Sequence, residues 1–113
     1  MLSTRKSSLT VSIITATFNS SSTIADCIKS VASQTYPHIE HIIIDGGSTD
    51  GALDIIKKYS DRIAYWISEP DKGIYDAMNK GIKLASGDIV GILNSDDFYA
   101  NNDVISSVVK EFE

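Results

Sequence analysis

Four short apolar runs, rich in β-branched residues, constrain this chain more than any other feature. They are TVSIITATFN (residues 10–19), EHIIID (40–45), IAYWIS (63–68) and DIVGILN (88–94). Runs of this length and composition predict buried strands. Each is followed by a segment whose apolar residues recur at helical spacing. The first carries Ile24, Cys27, Ile28 and Val31, opens on Thr23 and Asp26 in the capping-box pattern, and closes before Pro37 in the tripeptide TYP. The second follows the turn Gly46–Gly47 and carries Leu53, Ile56 and Tyr59, with Ser48, Thr49 and Asp50 as capping candidates. The third sets Ile74, Ala77, Met78, Ile82 and Ala85 on one face and ends by Gly87. The fourth begins near Asn102 or Asp103 and carries Val104, Ile105, Val108, Val109 and Phe112.

Strand–helix alternation repeated in this way admits few folds. It predicts an α/β domain built on a Rossmann-like, mainly parallel sheet flanked by helices, with right-handed crossovers. The expected division is a frayed start over residues 1–9 and one domain over residues 10–113. A composition of 42% hydrophobic and 22% charged residues is that of an ordinary globular protein. A net charge of −5 argues against a nucleic-acid partner, which would require a basic stripe. The single cysteine, Cys27, excludes an internal disulfide and fits a reducing compartment. No apolar run approaches the ~20 residues of a membrane span.

Ligands of such sheets bind beyond the carboxyl ends of the strands, at the switch point. Polar residues gather there: Thr17 and Asn19 after the first run, Asp45 at the end of the second, Glu69 and Asp71 after the third, and Asn94, Asp96 and Asp97 after the fourth. The adjacent aspartates are the informative pair. Two like charges about 4 Å apart at an effective dielectric near 20 repel by roughly 4 kcal/mol. A dication reverses the sign of that interaction. Mg2+ or Mn2+ takes hard oxygen ligands, commonly one or two carboxylates together with substrate phosphates. Neither the G-x-G-x-x-G nor the P-loop pattern occurs, so a metal-bridged diphosphate is the expected phosphate grip. Plainer readings stand beside this one. Paired aspartates serve as a solvated turn, Asp45 before two glycines as a turn former, and Asp76 as a first-turn helix acid. His38 and His41 read as structural or exposed, Tyr65 and Trp66 as packing residues, and Cys27 as a small buried hydrophobe.

The blocks SIITATFN (12–19), VASQTYPHIEHIIIDGGSTDG (31–51) and GIYDAMNKGIKLASGDIVGILNSDD (73–97), in this order, resemble the nucleotide-binding half of a family 2 glycosyltransferase of GT-A fold. The resemblance implies transfer of a sugar, with inversion, from a nucleotide diphosphate donor. The family default is a UDP-sugar with Mg2+ or Mn2+ as cofactor. It implies a glycan or lipid-linked acceptor, since GIYDAMNKGI (73–82) is especially like members that build bacterial cell-envelope polysaccharides. By the same resemblance, Thr15, Thr17 and Asn19 line the base and ribose, and Asp45 lies near the base. Asp76, Asn79 and Lys80 run under the ribose and diphosphate. Asp97 coordinates the metal, and Asp96 shares it or holds the ribose. Gly46 stands where many relatives carry a second aspartate, and Asn94 where the commoner motif has an acid.

The family's catalytic base lies in the acceptor-side half, so here it is expected beyond Glu113. The chain is accordingly expected to bind donor without turnover alone, and to expose apolar surface that self-association as a homodimer would cover. The expected location is the cytoplasm or the inner face of the membrane. Two rival readings differ in class. One is a non-catalytic module binding a metal–nucleotide or a nucleotide sugar. The other is a phosphoacceptor receiver domain, disfavoured because its acidic pair belongs after the first strand rather than the fourth.

Overall fold

Each expected strand and helix forms in the computed structural model, which describes residues 9–113. The order is β1 (Val11–Thr17), α1 (Ile24–Ala32), β2 (Ile39–Asp45), α2 (Ala52–Lys58), β3 (Tyr65–Ser68), α3 (Ile74–Leu84), β4 (Ile89–Ile92) and α4 (Val104–Phe112). A 3₁₀ turn, Ser60–Arg62, which the apolar pattern does not signal, links α2 to β3. The expected frayed start lies, apart from Leu9, outside the described residues.

The strands pair in the order β3-β2-β1-β4, all parallel. Central strands β1 and β2 are covered on both faces, which is why Ile13, Ile14, Ile42, Ile43 and Ile44 are all buried in unbroken apolar runs. The two faces are covered unequally. One carries the main core, where Val11, Ile13 and Ile43 meet α1, α2 and α4 through Ile24, Cys27, Ile28, Ala52, Ile56, Ile105 and Val109. The other carries α3 alone, packed on Ile42 and Ile44 through Ala77. Helix α3 seats closely because Gly81 faces Ile14: a Cβ at Gly81 would fall 2.4 Å from the Ile14 Cγ2.

Three expectations change. Strand β4 is a half-covered edge rather than a buried strand, with Val90 and Ile92 each 45% exposed. These two pair with Ser12 and Ile14 of β1, and no helix covers them. Helix α3 does not bury its whole apolar stripe. Ala77 and Gly81 are buried, whereas Ile74 and Ile82 stand in solvent, because small residues set the contact with the sheet. No capping box forms at Thr23, whose hydroxyl donates to the Ser20 carbonyl, and α2 starts at Gly51 with φ 95°. Its first turn is held by Asp50, which accepts the Ala52 N–H at 3.1 Å.

Behind β1 lies a polar chain within the core. Thr15 Oγ1 lies 2.8 Å from His41 Nε2 and 3.8 Å from Cys27 Sγ. Burial holds His41 neutral, lowering its pKa from 6.5 to about 4. The unfolded chain therefore takes up this proton at a higher pH than the folded chain. The contribution to stability is complete above about pH 6.5 and is lost as pH falls towards 4. Urea titrations over this range are expected to show wild type losing up to about 1.4 kcal/mol per pH unit more than His41→Gln. Parallel stability curves for the two proteins would contradict a buried neutral imidazole.

Candidate functional site

The carboxyl ends of β1, β2 and β4 open into one cleft of about 560 Å³. It lies at the switch point, where the chain returns from β3 to lay β4 on the far side of β1. Ala16, Thr17, Phe18 and Ser20 form its floor and one wall, Gly46 and Asp71 another, and Gly73, Ile74 and Ala77 of the α3 N-terminal region a third. Ser95 closes it after β4. The hydroxyls of Ser20 and Ser95 share a 2.8 Å hydrogen bond across the switch point, tying the β1 and β4 loops together.

Asp45 organises the loops. It is fully buried, and its carboxylate accepts the Gly47 N–H (3.0 Å), the Ser48 N–H (2.8 Å), the Ser48 hydroxyl (2.5 Å) and the Ser68 hydroxyl (2.8 Å). Ser48 Oγ in turn accepts the Asn19 N–H at 2.8 Å. Asn19 adopts φ 50°, a left-handed turn that asparagine tolerates, and its Oδ1 accepts the Thr49 N–H at 2.8 Å. Gly46 N–H donates to the Thr17 carbonyl at 2.9 Å, and Ser21 N–H donates to Asp50 at 3.0 Å. Asp45 and Asn19 thus lock the β1 and β2 loops together from behind the cleft surface.

The remaining sequence-identified residues divide clearly. Thr17 reaches the cleft wall, and its buried hydroxyl has no hydrogen-bond partner. Thr15 does not reach the cleft, because it lies one pleat deeper in β1 than Thr17 and is packed against Cys27 and His41. Asp76 and Lys80 stand outside the walls and brace the loop before α3. Asp76 accepts the Lys72 N–H at 3.0 Å, and Lys80 Nζ lies 3.0 Å from Glu69 and 3.7 Å from Asp76. The Lys72 N–H, followed by the Lys80 charge, holds the Asp76 carboxyl below its ordinary pKa. Glu69 leads in raising that of Lys80. Asn79 is exposed on α3 beyond the cleft.

Asp96 and Asp97 lie in the turn after β4, where Asp97 N–H donates to the Asn94 carbonyl at 3.0 Å. Both are exposed, and among the described residues neither forms an ion pair. Water softens their repulsion, and both carboxylates remain available to a ligand. No group of three or more His, Cys, Asp or Glu side chains is assembled around a metal position among the described residues. Two free carboxylates still suit Mg2+ or Mn2+, whose shells are ordinarily completed by phosphates and water.

Asp71 and Ser95 are the contributors that motif reading passed over. Asp71 accepts the Gly73 N–H at 2.9 Å through Oδ1, and its Oδ2 lies where a Gly46 side chain would begin, 2.9 Å from an ideal Cβ. A carboxylate from the β3 loop therefore occupies the space that an acid at position 46 would need. The sequence signal was only that Asp71 follows a strand. Removing the buried acceptor at β2 tests the loop architecture: Asp45→Ala leaves the donors of Gly47, Ser48 and Ser68 unsatisfied. Urea denaturation is expected to record a loss of about 3 kcal/mol. A loss under about 1 kcal/mol, within the range of an ordinary hydrogen bond, would contradict the account.

Comparison with known proteins bears on this site. The family model described as glycosyl transferase family 2 matches residues 12–113. An uncharacterized glycosyltransferase of Mycobacterium tuberculosis is 46% identical over 102 residues, covering 89% of this chain and 39% of the relative. A putative teichuronic acid biosynthesis glycosyltransferase, TuaG, of Bacillus subtilis is 41% identical over 90 residues, covering 77% of this chain and 36% of the relative. The chain thus spans under two fifths of the length of these curated relatives. Among solved structures, the mannosyltransferase PcManGT from Pyrobaculum calidifontis in complex with GDP-Man and Mn2+ superposes with a TM-score of 0.84 at 26% identity, over 90% of this chain and 32% of that one. S. aureus TarS 1-349 in complex with UDP-GlcNAc gives 0.83 at 27% identity, over 90% and 30%.

Proposed function

Because the chain belongs to glycosyl transferase family 2, we propose that the cleft at the carboxyl ends of β1, β2 and β4 binds the nucleotide diphosphate of an activated sugar. The chain then forms the donor-binding part of a transferase acting on a glycan or lipid-linked acceptor. The observation that carries the reading is Thr17, which borders the cleft and whose buried hydroxyl has no hydrogen-bond partner. A buried polar group left unsatisfied costs about 1–3 kcal/mol, which a ligand hydrogen bond offsets. Support for the donor class comes from the similar structures holding UDP-GlcNAc or GDP-Man. The teichuronic acid relative supports a cell-envelope product.

In this reading, Thr17, Gly46 and Asp71 meet the base and ribose. The free Asp71 Oδ2 is an acceptor for a ring N–H or a ribose hydroxyl. Asn19 and Asp45 act through the loops they lock. Asp76, Asn79 and Lys80 flank the diphosphate from α3. Asp97, with Asp96 beside it, would hold Mg2+ or Mn2+, and that cation, when bound, offsets the charge of the departing diphosphate. The Mn2+ in the PcManGT complex supports this assignment. An inverting displacement also requires a general base within reach of the acceptor hydroxyl, and no residue around this cleft is assigned that role.

Calorimetric titration with UDP, in Mn2+ and in EDTA, tests the proposal. Wild type is expected to bind in the micromolar range only with metal. Asp97→Ala is expected to weaken binding at least ~tenfold, and Thr17→Val by a smaller factor of about five, the size of a neutral hydrogen bond. Equal affinity in EDTA, or an unaffected Asp97→Ala protein, would overturn the metal-bridged reading. Loss of metal dependence with Thr17 still required would leave a metal-free nucleotide module instead.

A further inference from the structure

Three acids, Glu69, Asp71 and Asp76, stand in the loop before α3 and in its first turn. Glu69 and Asp76 share Lys80, at 3.0 and 3.7 Å, whereas Asp71 has no ion-pair partner among the described residues. The half-buried Asp71 lies in the cleft wall over Gly46. Its Oδ1 accepts the Gly73 N–H at 2.9 Å, and among the described residues its Oδ2 accepts no hydrogen bond. Gly46 does not share the left-handed backbone of Gly47, Gly51 and Gly73. What its missing side chain provides is room for this carboxylate: a Cβ there would lie 2.9 Å from Oδ2 and 3.2 Å from Oδ1.

The loop that carries Asp71 is braced on both sides. Glu69 N–H donates to the Asp45 carbonyl at 3.0 Å, Pro70 lies against Gly47, and Lys72 N–H donates to Asp76 at 3.0 Å. An unpaired carboxylate repels a diphosphate, so it suits the end of the cleft away from the phosphates. Asp71 sits over the end of β2, while Asp96 and Asp97 follow β4 on the far side of β1. Two strand spacings, about 10 Å, separate β2 from β4. A nucleotide with its diphosphate beside Asp97 therefore passes its ribose over the end of β1, by Thr17, and brings its base to Asp71.

We propose that Asp71 selects the base of the donor, an inference that rests on the donor-cleft reading above. A carboxylate accepts hydrogen bonds and cannot donate them. With Oδ1 committed to Gly73, Oδ2 offers an acceptor to a base that carries a proton on the ring nitrogen of its pairing edge. Uracil (N3–H) and guanine (N1–H) carry one. Cytosine and adenine present a bare lone pair at that position, which the carboxylate repels. A site built around such a hydrogen bond rejects the analogue that lacks the proton.

Asp71→Asn isolates the claim. The asparagine carbonyl keeps the Gly73 N–H, so its NH2 takes the place of Oδ2 and an acceptor becomes a donor. Calorimetric titration of the whole 113-residue chain with UDP, CDP, GDP and ADP in Mn2+ tests it. UDP and CDP, like GDP and ADP, differ only at the base edge. Wild type is expected to bind UDP or GDP at least ~tenfold more tightly than its counterpart, the factor of a charge-assisted hydrogen bond, and the tighter of the two identifies the base. In Asp71→Asn that ratio is expected to fall at least ~tenfold, with the cytosine or adenine nucleotide gaining affinity. Equal wild-type affinity within both pairs, or an Asp71→Asn protein that keeps the wild-type ratio, would overturn this proposal and leave the donor cleft standing. A uniform loss across all four nucleotides keeps that ratio and would assign Asp71 to the ribose or to the loop alone. Wild type binding none of the four would overturn the donor-cleft reading itself, and this proposal with it.

Discussion

The site rests on one buried carboxylate. Asp45 ends β2 with no exposure to solvent, and four hydrogen bonds from Gly47, Ser48 and Ser68 satisfy it. Charge-assisted bonds of this kind are among the stronger ones in proteins. Their consequence is geometric. Ser48 reaches on to Asn19, Asn19 to Thr49, and Gly46 to Thr17, so the loops leaving the two central strands are tied to one another. The cleft wall is therefore formed before any ligand arrives, and Thr17 at its border keeps a buried hydroxyl without a partner. Preorganisation of this sort reduces the ordering cost of binding.

The sheet explains why the cleft lies where it does. Three helices crowd one face and build the main core, while α3 alone crosses the other. With Ala77 and Gly81 at the contact, α3 lies close to β1 and β2, and the loop before it brings Asp71 and Gly73 to the cleft. The same arrangement leaves the α3 side of β4 open at Val90 and Ile92. The relatives described above are more than twice as long as this chain, so an uncovered edge beside the acidic turn is consistent with further structure at that place in the family.

Much of this was legible in the sequence. The β-branched runs of the central strands β1 and β2 mark burial on both faces, and the helical stripe of α1 matches its buried residues because that helix meets the main core, whereas α4 buries only Ile105 and Val109 of its stripe and leaves Val108 and Phe112 exposed. The stripe of α3 misled at Ile74 and Ile82, since periodicity reports an apolar face and not what covers it. Within the site, residues at strand ends were identified by position, but depth was not. Thr15 and Thr17 share one face of β1, but Thr15 lies deeper in the core beside His41, whereas Thr17 stands at the strand's carboxyl end and borders the cleft. Asp45 was legible as important, while its role as a satisfied anchor depends on Ser68, which is 23 residues away. Asp71 was passed over because its partner in space, Gly46, is revealed only by a missing side chain.

The central claim is that the locked β1–β2 loops hold Thr17 in place for a nucleotide whose diphosphate is bridged by metal to Asp97. A crystal structure of the chain with UDP and Mn2+ is the most direct measurement. The account predicts the nucleotide across the carboxyl ends of β1 and β2, with Thr17 Oγ1 hydrogen-bonded to it, the metal on Asp97, and the Asp45 bonds unchanged. A nucleotide bound elsewhere, or one in the cleft that leaves Thr17 unpartnered and Asp97 facing solvent, would contradict it.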